Sequence, residues 1–217
     1  MKTAILIGAT GMTGSFTLQL LLKDERFSKV KIFTRRSTGI SYPKLEEHVI
    51  DFDDIGSWKH LVTGDVLFSA LGTTLKQAGG KVPQYKVDYT YQYNVAKAAS
   101  EGGVPVYVLV SSVGANPDSM VFYSKMKGEL ERDIRKLPFQ HIHILQPGPL
   151  EGPREKERNA EKIGINITRF ITNLGILKGY KPIHGQIVAQ AMINASFDTE
   201  SPVKIYRLLE VFERAKG

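Results

Sequence analysis

Short runs of Val, Ile, Leu and Phe alternate with longer stretches of helical periodicity from the start of the chain to about residue 146. Residues 3–7, 29–34, 47–51, 65–70, 106–111 and 141–146 read as strands, most of them apolar enough for burial on both faces. Between them, residues 12–23, 55–61, 84–100 and 122–137 read as helices, the second interrupted by Gly56. Strand followed by helix, repeated, implies parallel strands joined by crossover helices, hence an α/β fold with a doubly wound parallel sheet. In such sheets ligands lie beyond the carboxyl ends of the strands, where strand order reverses. Chemistry is therefore sought in the residues just after each strand.

The pattern changes after Gln146. Pro147-Gly148-Pro149 and Gly152-Pro153 punctuate a loop that enters a charged run at 151–162, which contains Arg154 and Arg158. Helical patterns follow at 165–174 and 185–195, then a short strand at 203–206 and a helix at 208–215. There are no internal repeats and no linker. A single domain spanning 1–217 is expected, with 147–217 forming a substrate-side cap. The charged run reads either as a selector of anionic substrates or as a solvated lid.

Composition narrows the class. With 42% hydrophobic and 24% charged residues the chain is not disordered, and its lack of cysteine excludes disulfides, thiolate zinc sites and a cysteine nucleophile. The first apolar run breaks at Gly8, short of the ~7–15 residues of a secretory core, and no later run nears the ~18 of a membrane span. These observations predict a soluble cytoplasmic protein. The 29 basic residues against 22 acidic give a net charge of +7. They are interleaved with acids, as at 129–136, and form no basic stripe with aromatics between, so nucleic acid is not the expected partner.

The most informative stretch is Gly8-Ala9-Thr10-Gly11-Met12-Thr13-Gly14, three glycines spaced three apart between an apolar strand and a helix. A dinucleotide pyrophosphate needs bare backbone N–H groups at a helix N-terminus, where side chains would block its approach. Gly8 suits the sharp turn, Gly11 the close approach and Gly14 the packing of helix on strand. After the second strand, where an NAD site places an acid for the ribose 2′-hydroxyl, stand Arg35 and Arg36. Forked guanidinium donors suit a 2′-phosphate, so NADP(H) is expected over NAD(H).

Ser111 and Ser112 close the fifth strand, and Tyr123 and Lys127 open the next helix four residues apart, hence on one face. An ammonium beside a phenol favours its phenolate, and a serine hydroxyl can hold a carbonyl oxygen next to it. The predicted reaction is hydride transfer to a carbonyl carbon while Tyr123 protonates the oxygen.

The glycine loop, Ser111-Ser112 and Tyr123-x-x-x-Lys127 together resemble the short-chain dehydrogenase/reductase superfamily. Leu71-Gly72-Thr73-Thr74, Val87-Asp88 and Lys127-Gly128-Glu129 narrow the resemblance to its atypical NmrA-like and Tat-interacting-protein-like branch. It covers nearly the whole chain. It implies a Rossmann fold, a Ser-Tyr-Lys triad, and Lys127 on the nicotinamide ribose. By the same analogy Asp51 and Phe52 lie beside the adenine, Ala70, Leu71, Gly72 and Thr73 along the ribose and pyrophosphate, and Pro147 at the nicotinamide. Ser111, twelve residues before Tyr123, is preferred over Ser112. The superfamily often has Asn where this chain has Asp88, and NmrA-like proteins have Arg-Pro-Gly where this chain has Gln146-Pro147-Gly148. The implied function is NADPH-dependent reduction of a small carbonyl or quinone-like substrate. The alternative is an NADP(H) sensor acting through a protein partner.

His141 and His143 share a strand face without acidic or cysteine neighbours, so no metal site is expected. Tyr85, Tyr89 and Tyr93 fall on one helix face and predict core or a homodimer interface.

Overall fold

The computed structural model describes residues 1–151 and 181–217; Arg154, Arg158 and the helical pattern at 165–174 lie outside the described residues. The chain begins with β1 (Lys2–Ile7), α1 (Met12–Lys23), β2 (Phe27–Thr34), β3 (Leu45–Val49), α2 (Ile55–Trp58) and β4 (Val66–Ser69). Next come α3 (Leu75–Ala78), α4 (Lys81–Tyr85), a π-helical segment (Lys86–Tyr91), α5 (Gln92–Glu101), β5 (Val106–Val110), α6 (Phe122–Ile134) and β6 (His141–Gln146). A two-residue ladder of β7 (Leu150–Glu151) with β8 (Ile183–His184), α7 (Gly185–Ala195), β9 (Val203–Arg207) and α8 (Leu209–Lys216) complete the described part.

Seven strands form one parallel sheet in the order β3-β2-β1-β4-β5-β6-β9. The chain builds outward from β1 to β3 and then returns to lay β4 on the other side of β1, with Ala4 opposite both Val30 and Val66. That reversal opens the crevice between the ends of β1 and β4. Period-2 alternation divides the core. Ala4, Leu6, Val106 and Val108 face α1, α7 and α8, while Ile5, Ile7, Tyr107 and Leu109 face α5 and α6. This is the doubly wound, single-domain architecture expected. The short strand near 203 is the seventh strand of the main sheet, paired with β6 from Ile142↔Val203 to Gln146↔Arg207.

Local differences from expectation have local causes. The helix expected at 84–100 starts at Lys81 and carries one underwound π segment, a feature frequent at functional sites. The helix near 55 is short, ending as a 3₁₀ turn. The tyrosine stripe is a half-buried ladder with Tyr85 and Tyr89 stacked at 4.7 Å, and their hydroxyls donate to Glu129 and Asp133 of α6. The stripe joins two helices of the same chain.

One buried polar cluster lies under β6 and β9, away from the strand ends. His143 is fully buried, its Nδ1 3.4 Å from the Tyr206 hydroxyl, and among the described residues its Nε2 has no hydrogen-bond partner. Tyr206 donates to Asp198, which also receives Lys204 at 2.8 Å. Burial lowers the His143 pKa to about 4, against the pull of the Asp198 carboxylate. Burial works against the Asp198 charge, yet Lys204 and Tyr206 hold that carboxyl well below the usual range. The histidine is therefore neutral when folded, and an unfolded chain takes up its proton first as pH falls. Stability is complete above pH ~6.5 and declines toward pH 4, by up to ~3 kcal/mol. Asp198 acts in a separate, lower window. His143→Leu should flatten the loss between pH 6.5 and 4.5, measured as the urea midpoint against pH; an unchanged slope would mean that another group carries it.

Candidate active site

At the end of β1 the backbone of Gly8 adopts φ +84° and lies flat against Ala70 and Leu71, where any Cβ would overlap the Ala70 carbonyl carbon. A Cβ on Gly14 would overlap the Gly8 carbonyl oxygen. Both glycines are thus demanded by the fold of the loop itself. Gly11 differs. Its φ is −82°, which any residue adopts, and a Cβ there would meet only Gly8 O at 3.3 Å and Ala70 O at 3.8 Å. The space that its missing side chain leaves opens outward, over the first turn of α1. That turn has no capping side chain and no acid, and its first helical bond is Ser15 N to Gly11 O. Its leading N–H groups therefore point out unpaired, as a pyrophosphate requires. Thr10 is exposed and Met12 half-buried, whereas Thr13 turns into the protein interior.

Arg35 and Arg36 follow β2 and are exposed, and neither makes a side-chain bond among the described residues. Their turn is fixed by Glu47 on β3, which accepts Thr38 N and Ser37 Oγ, both at 2.7 Å. Asp51 is exposed at the end of the β3 segment, but Phe52 is buried, stacked on Tyr91 at 5.1 Å. Ala70 is tied to β1 through Ile7 O, and Thr73 N donates to Asp88 Oδ2 at 2.8 Å. The loop after β4 thereby runs between the glycine turn and the π segment.

Tyr123, Lys127 and Glu131 occupy successive turns of one face of α6, descending from solvent into the core. Tyr123 is 41% exposed, Lys127 3% and Glu131 2%. The Lys127 ammonium lies 6.0 Å from the Tyr123 ring centre and 3.4 Å from Asp88 Oδ1. Burial opposes charge on Lys127, but Asp88 outweighs it and the lysine pKa ends above its ordinary value. Burial likewise pushes the Asp88 carboxyl up, against the Lys127 charge and the Thr73 N–H. Glu131 is one turn deeper. It accepts hydrogen bonds from Ser111 Oγ, from Gln146 Nε2 at 2.9 Å and from Arg135 at 3.2 Å.

This geometry separates the two serines. The preference for Ser111 is corrected: its hydroxyl is buried and committed to Glu131, because side chains alternate along the strand and Ser111 takes the inward position. Ser112 is half-buried at the strand end, and its Oγ has only a weak 3.3 Å contact with Val113 O. The loop beyond it crosses α6 at Gly128, where a Cβ would overlap Asn116 and Pro117. Pro147 is buried and its carbonyl accepts Val113 N, which ties the ends of β5 and β6 together. Tyr123 thus stands exposed above the buried Lys127 on α6, and Ser111, unlike Ser112, is turned to Glu131 beneath them; Phe52 lies apart, packed on Trp58 and Tyr91. Sequence reading missed Glu131, although its spacing of four from Lys127 was a usable sign.

Between α4 with the π segment and the start of α6, an open groove of about 420 Å³ is lined by Lys81, Val82, Tyr85, Lys86, Thr90 and Phe122. Among the described residues no three His, Asp or Glu side chains gather as a metal site would, and no helix is long and apolar enough to cross a membrane.

A family model described as NAD(P)H-binding matches residues 8–170. The chain is 37% identical over 212 residues to Protein FMP52, mitochondrial, of Saccharomyces cerevisiae, covering 93% of this chain and 90% of that protein. It is 37% identical over 207 residues to Protein fmp52, mitochondrial, of Aspergillus fumigatus, covering 90% and 87%. Among solved structures it resembles the Bordetella bronchiseptica enzyme WbmH in complex with NAD+, with TM-score 0.71 at 18% identity over 95% of this chain and 75% of that one. It also resembles DesIV, a dTDP-glucose 4,6-dehydratase of Streptomyces venezuelae with NAD and TYD bound, with TM-score 0.71 at 16% identity over 95% and 75%. At such identities the structures establish the fold. The names of the fungal relatives overturn the cytoplasmic placement, since a missing apolar secretory core says nothing about mitochondria.

The glycines make a paired test. Gly11→Ala should fold with an unchanged melting temperature and lose at least tenfold in affinity for NADPH and NADH by calorimetry. Gly14→Ala should instead lower stability by ~3 kcal/mol or more, because backbone rather than a flexible side chain meets the new Cβ. Equal binding by the Gly11 variant would show that the dinucleotide does not cross this turn.

Proposed function

The chain belongs to the NAD(P)H-binding family, with the fold of the atypical short-chain dehydrogenases/reductases, and from that premise we propose that it is an NADPH-dependent oxidoreductase of small carbonyl or quinone-like compounds. The observation that carries the reading is the descent along α6: an exposed phenol directly above a buried lysine, at the strand ends that the glycine turn faces. A protein that only bound the dinucleotide would not need to bury a lysine beneath an exposed tyrosine.

Bound NADPH supplies a hydride to the substrate carbon. The Ser112 hydroxyl donates a hydrogen bond to the substrate oxygen and fixes it beside Tyr123. Tyr123 transfers its proton to that oxygen as negative charge develops there, and a solvent proton later restores the phenol, so one hydride and one proton are added overall. The Lys127 ammonium holds the nicotinamide ribose and steadies the phenolate left behind. Gly11 and the first turn of α1 take the pyrophosphate, and Ala70, Leu71, Gly72 and Thr73 follow it toward the ribose. Asp51 flanks the adenine, with Phe52 as its buried support. Arg35 and Arg36 take the 2′-phosphate, their exposure and freedom from acidic partners among the described residues supporting the preference for NADP(H). Pro147 closes the nicotinamide side. The apolar walls of the groove at Val82, Tyr85 and Phe122 suit an apolar substrate body. The mitochondrial names of the relatives support a mitochondrial location.

Calorimetry should show NADPH binding well above NADH, and Arg35→Ala/Arg36→Ala should lower NADPH affinity by roughly 10–100-fold with little effect on NADH. Equal affinities in the unaltered protein would cancel the preference. In a carbonyl and quinone screen, Tyr123→Phe should lower kcat by roughly 10²–10⁴ while NADPH affinity holds. Binding without turnover of any compound would favour the sensor reading instead.

A further inference from the structure

Lys127 does not face Tyr123 alone. On the π segment packed against it stands Asp88, 1% exposed, with Oδ1 3.4 Å from the ammonium and Oδ2 held by Thr73 N. On its own helix Tyr123 lies a turn above and Glu131 a turn below, the latter shared with the half-exposed Arg135. From β5 and β6 come only Ser111 and Gln146, which are uncharged and both bonded to Glu131. The ammonium is therefore flanked by two carboxylates, and of these Asp88 lies within ion-pair distance. The π turn contributes directly. Gln92 donates to the Asp88 carbonyl at 2.6 Å and accepts from Ser69 at 2.7 Å, pinning the underwound segment to β4 so that the Asp88 side chain points at Lys127.

We propose that Asp88 is a positioning residue that neutralises Lys127, so that the Tyr123 hydroxyl keeps its proton and the site is biased toward giving a proton to a substrate oxygen rather than removing one. This rests on the proposed role of Tyr123 as proton donor. An Asn at position 88 would leave the lysine charge uncompensated and directed at the phenol, which suits a base. The carboxylate redirects that charge into an ion pair. The equilibrium of the reaction is unaffected. What changes is the pH at which each direction runs: reduction persists further into alkaline solution, and alcohol oxidation begins correspondingly later.

The test needs no substrate. Ultraviolet difference titration at the phenolate band, with the Tyr123→Phe spectrum subtracted, isolates Tyr123. The subtraction removes the other eight tyrosines, which both spectra share. Asp88→Asn should move the Tyr123 titration down by about 1–2 pH units, the size expected for one unit charge at this distance in a protein-like medium. The pH profile for NADPH-dependent reduction of 4-nitrobenzaldehyde should shift by the same amount. If Asp88→Asn does not fold, Asp88→Ser, which leaves room for a water beside the ammonium, carries the same expectation. A Tyr123 titration unmoved in the folded variant overturns the proposal. A shifted titration in a protein that reduces no carbonyl compound would overturn the oxidoreductase reading and leave the role of Asp88 standing.

Discussion

A buried ammonium governs this molecule. Taking Lys127 out of water costs several kcal/mol unless an opposite charge meets it, and removing one partner of such a pair typically costs 3–5 kcal/mol. Its partner Asp88 therefore has to arrive in register, and much of the surrounding structure serves that arrival. The helix before β5 underwinds at Lys86–Tyr91, Gln92 braces the turn against Ser69, and Thr73 donates its N–H from the loop after β4. That same loop is the surface against which Gly8 lies flat. The dinucleotide turn and the lysine are thus joined through one short segment, and a change in either reaches the other through Thr73 and Asp88.

A second layer fixes the helix that carries the chemistry. Glu131 gathers Ser111 from β5, Gln146 from β6 and Arg135 from its own helix, and Gln146 in turn accepts from Arg207 on β9. Three adjacent strands are thereby bonded, at their carboxyl ends, to one face of α6. A buried carboxylate with donors on all sides is costly to disturb and geometrically selective. It sets the height of Tyr123 above the sheet. The serine that spends its hydroxyl here cannot also bind substrate, and this leaves Ser112 as the hydroxyl at the rim.

How much of this was legible in the sequence follows from the range of each interaction. The glycine turn was readable because its demands are local: Gly8 and Gly14 meet atoms of the same turn or of the strand beside it. The doubly wound class followed from the alternation of strands and helices, and the shared face of Tyr123 and Lys127 from helical spacing. Glu131 was within reach of the same spacing rule. Asp88 was visible as part of the Val87-Asp88 motif and as a departure from the Asn of the wider superfamily, but its pairing was not, because its partner is brought from a distant helix by tertiary packing and by a π turn that no periodicity announces. The two serines could not be separated by strand reading either, since what distinguishes them is the presence of Glu131 beneath one of them.

The same contrast explains why fold and chemistry carry different weight here. At 16–18% identity WbmH and DesIV share the fold, which arises from alternation and crossover handedness and tolerates nearly complete replacement of side chains. The charges about the strand ends are few: the exposed Arg35 and Arg36 after β2, and the buried Asp88, Lys127 and Glu131 about α6. Each can change without moving a strand. Asp88 differs from a neutral amide by little in shape and by a whole charge in effect, placed 3.4 Å from an ammonium that has almost no water to screen it. On the role proposed for Tyr123, a substitution that structural comparison scarcely registers would therefore decide whether that tyrosine gives its proton or accepts one.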